Sequence, residues 1–207
     1  MSHGGFAPGL EIDTGPMYGK KTWALIGHVD RYRHALDPDQ VSVFYPERDK
    51  RTAPGTIQTR LSSVSFSAKP FSRIRDILEL TDERTRVSGI DEIQFVPDSP
   101  QEVKRVIVDE LVRKRGQRVL VAGLNLDFCG NPFEVIRELM PFAERVTVNH
   151  AVCMVRDNGS KCGRPAFFSQ LFIDGTLAGS GTPRVVVQKT TSEDYQARCG
   201  LHFVWPD

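Results

Sequence analysis

The chain has no apolar run long enough to cross a bilayer, which argues against an integral membrane protein. It has almost no net charge, +1 over 207 residues, and no basic stripe, which argues against a general nucleic-acid surface. The opening residues Met1-Ser2-His3-Gly4-Gly5 lack the charged and apolar regions of a secretory signal. The expected location is therefore the cytoplasm, with neither membrane nor nucleic acid as a partner. Cysteine is scarce: there are four, and none precedes Cys129. Thiols stay reduced in the cytoplasm, so clustered cysteines point to a metal rather than to disulfides. Internal repeats and low-complexity tracts are absent. A chain of this length buries one good core, or one domain with a small appendage.

What is present is an alternation of strand and helix patterns. Leu10-Glu11-Ile12-Asp13, Val41 to Tyr45, Val87 to Asp91, Arg118 to Ala122 and Arg145 to Val148 read as strands. Helical spacing follows in Trp23, Leu25, Ile26, Val29 and Tyr32, and again over Phe71–Leu80, Val103–Leu111 and Phe133–Phe142. Such alternation predicts an α/β fold, a mostly parallel sheet with helices on both faces. Ligands in such sheets bind beyond the carboxyl ends of the strands. Residues 49–65, rich in charge and Ser/Thr, read as a long loop. After about residue 150 the pattern changes. Phe167–Ile173, Asp174-Gly175 and Thr176-Leu177 read as a hairpin, and Arg184–Val187 as a further strand. The expected division is a nucleotide-binding domain over 1–150 and a smaller unit over 151–207.

Gly15-Pro16-Met17-Tyr18-Gly19-Lys20-Lys21-Thr22 is one residue away from the phosphate-binding loop G-x-x-x-x-G-K-[ST]. The intact loop wraps phosphates with backbone amides, reaches them with its Lys and binds Mg²⁺ through its hydroxyl. Lys20 stands where the second Gly belongs. Gly19, one residue earlier, is expected to supply the positive φ that the turn requires. A strand before the loop and a helix after it are the setting the motif demands. The competing account is an ordinary Gly/Pro turn with two solvated lysines. Ile90-Asp91-Glu92-Ile93-Gln94-Phe95 is a second cluster. An Asp at the end of a buried strand opposite a phosphate loop can hold Mg²⁺, and a carboxylate beside it can take a proton from an attacking hydroxyl. The competing account is that both acids cap the next turn.

Cys153 and Cys162 flank a polar turn, and Cys199 is followed three residues later by His202. A pair on one turn facing a Cys-x-x-His on another supplies four ligands for tetrahedral Zn²⁺. The alternative is two buried thiols and a surface His. Zinc is favoured because Cys162-Gly163 follows the knuckle pattern and this segment has little core of its own.

Taken in order, these segments resemble the zinc-containing (type II) thymidine kinases, with this chain a divergent member. The likeness rests on Gly15-Pro16-Met17-Tyr18 with Lys21-Thr22, Asp49-x-Arg51, Asp91 to Phe95, Ala122 to Phe128 with Pro132-Phe133, Ala151-Val152-Cys153, and Tyr195 to Cys199. The family resemblance implies transfer of the ATP γ-phosphoryl group to the 5′-hydroxyl of thymidine or a related deoxynucleoside. It implies Glu92 as general base, and residues 15–22 with Asp49, Arg51, Asp91 and Gln94 as the ATP and Mg²⁺ site. It implies Met17, Phe95, Leu124, Phe128 and Phe133 as an apolar wall for the nucleoside, and Phe168, Ser169, Val187 and Tyr195 in a lasso around the base. It further implies a structural Zn²⁺ on Cys153, Cys162, Cys199 and His202 that anchors the lasso, and a homotetramer. Two other readings carry different expectations. One is a kinase-like nucleotide or nucleoside binder impaired by Lys20. The other is a zinc-ribbon nucleic-acid binder, which the near-zero charge disfavours.

Overall fold

The computed structural model describes residues 7–49, 54–58, 65–157, 159–184 and 195–206. The first strand, β1 (Gly9–Gly15), runs into α1 (Lys21–Arg33), and β2 (Val41–Pro46) follows. Thr56–Gln58 (β3) and Ser65–Ser67 (β4) pair antiparallel, so the stretch expected as loop contains a small hairpin. Next come β5 (Lys69–Phe71), a 3₁₀ turn over Ile74–Asp76 and the single-turn α2 (Ile77–Leu80). Phe71, expected to open a helix, instead ends a strand, because β5 adds to the edge of β2 with Phe71 opposite Pro46. Then follow β6 (Val87–Ile90), α3 (Pro100–Lys104) widening into π-helical turns over Arg105–Lys114, β7 (Arg118–Leu124), α4 (Glu134–Leu139) and β8 (Arg145–Val148).

Six strands form one sheet in the order β5-β2-β6-β7-β1-β8, and every neighbouring pair is parallel. Period-2 alternation divides their side chains between two apolar layers. Val119 and Val121 face one way with Ile12, Phe44, Ile107 and Ile136, whereas Leu120 and Ala122 face the other with Val43, Leu25 and Val29. Helices therefore cover both faces. The α1 pattern holds for Leu25, Ile26 and Val29, but Trp23 is 57% exposed. It lies in the first turn of α1, off the stripe those three present to the sheet.

The C-terminal unit consists of short pieces. These are β9 (Ala151–Val152), β10 (Arg156–Asp157), β11 (Ser160–Lys161), β12 (Pro165–Ala166), β13 (Phe168–Ile173), β14 (Thr176–Leu177) and β15 (Tyr195–Arg198). β13 is the centre of a three-stranded antiparallel sheet, with β14 on one side and β15 on the other. The expected Asp174-Gly175 turn is there, both residues left-handed (φ 49° and 77°), as a two-residue hairpin of this twist requires. The proposed strand over 184–187 lies outside the described residues beyond Arg184. Among the described residues no helix is long and apolar enough to cross a membrane.

Candidate active site

Because the large sheet is parallel, the chain leaves β1, β2, β6, β7 and β8 along the same edge, and the sequence-predicted groups gather there. β1 delivers the phosphate loop. Gly15 has φ 139°, and a Cβ on it would stand 2.2 Å from the Asn149 carbonyl oxygen, so glycine is required. The loop then closes with Gly19 N–H donating to Pro16 O (3.2 Å). The expectation for Gly19 does not hold. The left-handed residues are Tyr18 (φ 64°) and Lys20 (φ 59°, ψ 27°), whereas Gly19 has no positive φ. Gly19 serves close approach instead, since a Cβ there would lie 3.0 Å from Pro16 O. Lys20 therefore occupies the conformation a glycine would take, at a cost of roughly 1–2 kcal/mol, and its side chain is exposed.

Lys21 is buried, and its Nζ donates to Pro16 O at 2.7 Å across the mouth of the loop. Thr22, in the first turn of α1, donates its hydroxyl to Asp91 Oδ2 at 2.9 Å. Asp91 follows β6 and is buried, and its Oδ1 accepts the Glu92 N–H at 3.0 Å. A hydroxyl and a carboxylate oxygen this close, beside a phosphate loop, are the hard oxygen donors that Mg²⁺ selects. Asp49 is buried just beyond β2, its N–H bonded to Pro46 O (2.8 Å). Arg51 lies outside the described residues.

Glu92 is buried and left-handed (φ 50°, ψ 41°). A carboxylate held in a sparsely populated conformation marks a place where the surroundings over-determine the backbone. Gln94 contributes to that hold. Its Nε2 donates to Glu92 Oε2, and its Oε1 accepts the Leu124 N–H at 2.9 Å. Gln94, expected among the nucleotide ligands, thus lies as a brace between the acid and the end of β7.

The segment after β7 makes a tight turn. Asp127 Oδ1 accepts the N–H groups of Cys129 (2.9 Å) and Asn131 (2.8 Å). Phe128 packs with Leu171, Ala178, Cys129 and Tyr195, so the turn and the lasso strands share an apolar cluster. Phe133 is buried; Phe95 and Leu124 are half-buried at the same sheet edge. Two bonds tie the phosphate loop to the lasso. Met17 N–H donates to Ser169 Oγ (2.9 Å) and Tyr18 OH to Tyr195 O (3.2 Å). Ser169 and Tyr195 therefore meet the loop, but Phe168 projects from the opposite face of β13 and stacks on Phe203, ring centroids 4.4 Å apart. Val187 lies outside the described residues.

Sequence reasoning missed Arg184. Its Nε pairs with buried Asp127 at 2.8 Å, it donates to the carbonyls of Asn131 and Pro132, and its guanidinium sits 4.9 Å from the Phe133 ring centroid. An Arg more than 50 residues from its partners carries no local pattern that marks it. Asp13 was missed as well. It is buried two residues before Gly15, with His28 Nδ1 at 3.4 Å, and burial pushes its carboxyl above the usual range.

Cys153, Cys162, Cys199 and His202 come together with one ligand atom each, all within 4.8 Å of one another. Nδ1 of His202 lies 3.5 Å from both Cys153 Sγ and Cys199 Sγ, and the Cys162 and Cys199 sulfurs are 4.0 Å apart. Those separations are close to the edges of a tetrahedron with Zn–S bonds of about 2.3 Å. The wide Cys-x₈-Cys spacing is explained by the β10–β11 hairpin, which returns the chain so that Cys162 N–H bonds Val155 O at 2.9 Å. The core around the cluster is Ala151, Ala166 and Ala197 with two of the cysteines. Only Tyr18, Val155 and Cys162 pack on it besides, so the buried core at the cluster is small, as it is around a structural metal site.

The family model described as thymidine kinase matches residues 9–203. A thymidine kinase of Thermococcus kodakarensis is 37% identical over 212 aligned positions, covering 100% of this chain and 98% of the relative. One of Pyrobaculum aerophilum is 33% identical over 199 positions, covering 95% of this chain and 99% of the relative.

Proposed function

This chain belongs to the thymidine kinase family and phosphorylates thymidine at the expense of ATP, and we propose how its own residues share that reaction. The observation that carries the assignment of roles is the hydrogen-bonded path from the Thr22 hydroxyl to Asp91, from Asp91 to the Glu92 backbone N–H, and from the Glu92 carboxylate through Gln94 to the Leu124 amide. It runs from the phosphate end to the acceptor end of one sheet edge.

Lys21 leaves its bond to Pro16 O for the terminal phosphates, and the loop amides surround them. Thr22 and Asp91 would hold Mg²⁺, with Asp49 buried just beyond β2. When bound, the ion neutralises charge on the transferred group. Glu92 accepts the proton of the 5′-hydroxyl, and Gln94 aims its carboxylate. Phosphoryl transfer asks more of positioning than of covalent help, so the brace matters as much as the base. Phe95, Leu124, Phe128 and Phe133 form the slot for a flat pyrimidine, and Ser169 and Tyr195 lie on its lasso side. Zn²⁺ on Cys153, Cys162, Cys199 and His202 would close the two turns that carry the lasso. Nothing favours an impaired loop, because Lys20 takes the glycine-like conformation with its side chain outside. We further propose a cytoplasmic homo-oligomer, testable by light scattering of the purified protein.

The test of specificity is ATP-dependent phosphorylation of thymidine, deoxyuridine and deoxycytidine in parallel. Thymidine should be the best substrate by kcat/KM. Preference for deoxycytidine would refute the slot as described.

A further inference from the structure

Beyond His202 the chain runs along β13 as Phe203-Val204-Trp205, in a place that neither the phosphate chemistry nor the metal cluster uses. Gln170 is 1% exposed, and its amide grips both backbone groups of Val204: Nε2 donates to Val204 O (3.0 Å) and Oε1 accepts Val204 N–H (2.8 Å). A buried amide committed at both ends to one residue fixes that residue as a ladder pair would. Side chains on either side of Val204 then close an aromatic cluster. Phe203 stacks on Phe168 at 4.4 Å, and Trp205 meets Phe168 and Phe203 edge-on at 5.8 and 5.0 Å.

The far edge of the Trp205 indole lies on Gly130. A Cβ built there would stand 2.4 Å from Cζ3, and Gly130 has φ 80°, so the site admits the indole only because it is glycine. Gly130 belongs to the turn that Asp127 organises between Phe128 and Phe133. The tail therefore touches β13 on one side and this turn on the other. Trp205 is nevertheless 62% exposed, so its position is not accounted for by core burial.

We propose that Trp205 is a positioning residue for the nucleoside. It acts as a spacer that sets the distance between the 127–131 turn and β13, and with it the width of the slot between Phe128 and Phe133 and the opposite face of the strand, where Ser169 lies. The proposal rests on reading Phe128 and Phe133 as the nucleoside wall. It also makes the metal site and the acceptor slot neighbours in one piece of chain, since His202 is a ligand and Trp205 the spacer three residues later.

The experiment compares Trp205→Ala, Trp205→Phe and Phe133→Leu in the full-length, metal-loaded protein. KM for thymidine and for ATP, kcat, zinc content, oligomeric state by light scattering and Tm are measured for each. Trp205→Ala should raise KM for thymidine about tenfold, the scale of a displacement of less than an ångström. KM for ATP and zinc content should stay within about twofold, and Trp205→Phe should recover most of the loss, because a ring edge still reaches Gly130. An unchanged thymidine KM in Trp205→Ala overturns the proposal, as does a rise matched by ATP KM or by loss of zinc. A change of oligomeric state with thymidine KM unchanged also overturns it, and assigns the indole to a subunit contact. Phe133→Leu tests the wall separately: if it shifts thymidine KM and Trp205→Ala does not, the wall stands and only the spacer falls.

Discussion

The two ends of the molecule hold their functional groups by different means. At the phosphate end, Lys21, Asp91 and Glu92 are buried on top of two thick apolar layers that include Leu10, Ile12, Phe44, Ile90 and Leu120. Apolar burial at ~25 cal/mol per Å² makes that platform rigid, and side-chain hydrogen bonds need only aim groups already in place. At the C-terminal end the buried set around the cluster is three alanines and two cysteines. There the geometry depends on an aromatic cluster, a single amide grip and the proposed metal site. On the roles proposed above, catalytic precision and acceptor shape rest on separate foundations, so the two should fail separately.

Glu92→Gln should break the catalytic half most sharply. It keeps the size of the side chain and its place against Gln94 while removing the base. The expected loss of kcat is ~10²–10⁴, with KM for ATP and thymidine nearly unchanged. Steady-state kinetics checks this, and near-normal turnover would remove Glu92 from its role. Lys21→Ala strikes the same half through binding as well as turnover. Removing a preorganised cation from a buried site should lower kcat by ~10²–10³ and weaken ATP binding, with thymidine binding spared. Isothermal titration with each ligand separates the two.

The metal half should fail in the opposite sense. Cys199→Ser, or removal of metal by a chelator, should abolish about one equivalent of zinc and raise thymidine KM by roughly tenfold or more, as the unit loses its ligated closure. ATP affinity should change little, because the phosphate loop stands on the sheet. Metal analysis with paired titrations checks this, and a fully folded, metal-free protein with normal thymidine KM would dissolve the distinction between the two ends. The mildest change expected is Lys20→Gly. It relieves a left-handed lysine, so activity should remain within about twofold, and stability should rise by up to about 1 kcal/mol, or ~2–4 °C in Tm. A large gain in ATP affinity instead would mean that Lys20 obstructs the loop.

The alternation of strand and helix, the strand–loop–helix around Gly15–Thr22 and the acids after β6 are all legible in the chain, because each is a local pattern with a local cause. The hairpin at Asp174-Gly175 is legible for the same reason, since turn chemistry acts over neighbouring residues. Sequence also names Cys153, Cys162, Cys199 and His202, which the fold does bring together. Local pattern misleads where tertiary contact overrides it. Phe71 joins an edge strand rather than a helix, and Trp23 keeps helical spacing yet stays exposed. Gly19 is present for close packing while Lys20 takes the left-handed turn, because the Gly19–Pro16 bond decides which residue must bend.

What only the folded chain decides is partnership over long separations. Gln94 as a brace to the Leu124 amide, Arg184 on Asp127, Ser169 on the Met17 amide and Trp205 on Gly130 each join residues far apart in sequence. Such pairings leave no periodicity to read. They exist because a parallel sheet brings the ends of distant strands to one edge, and side chains gathered there must find their hydrogen-bond partners among whatever the topology has made their neighbours.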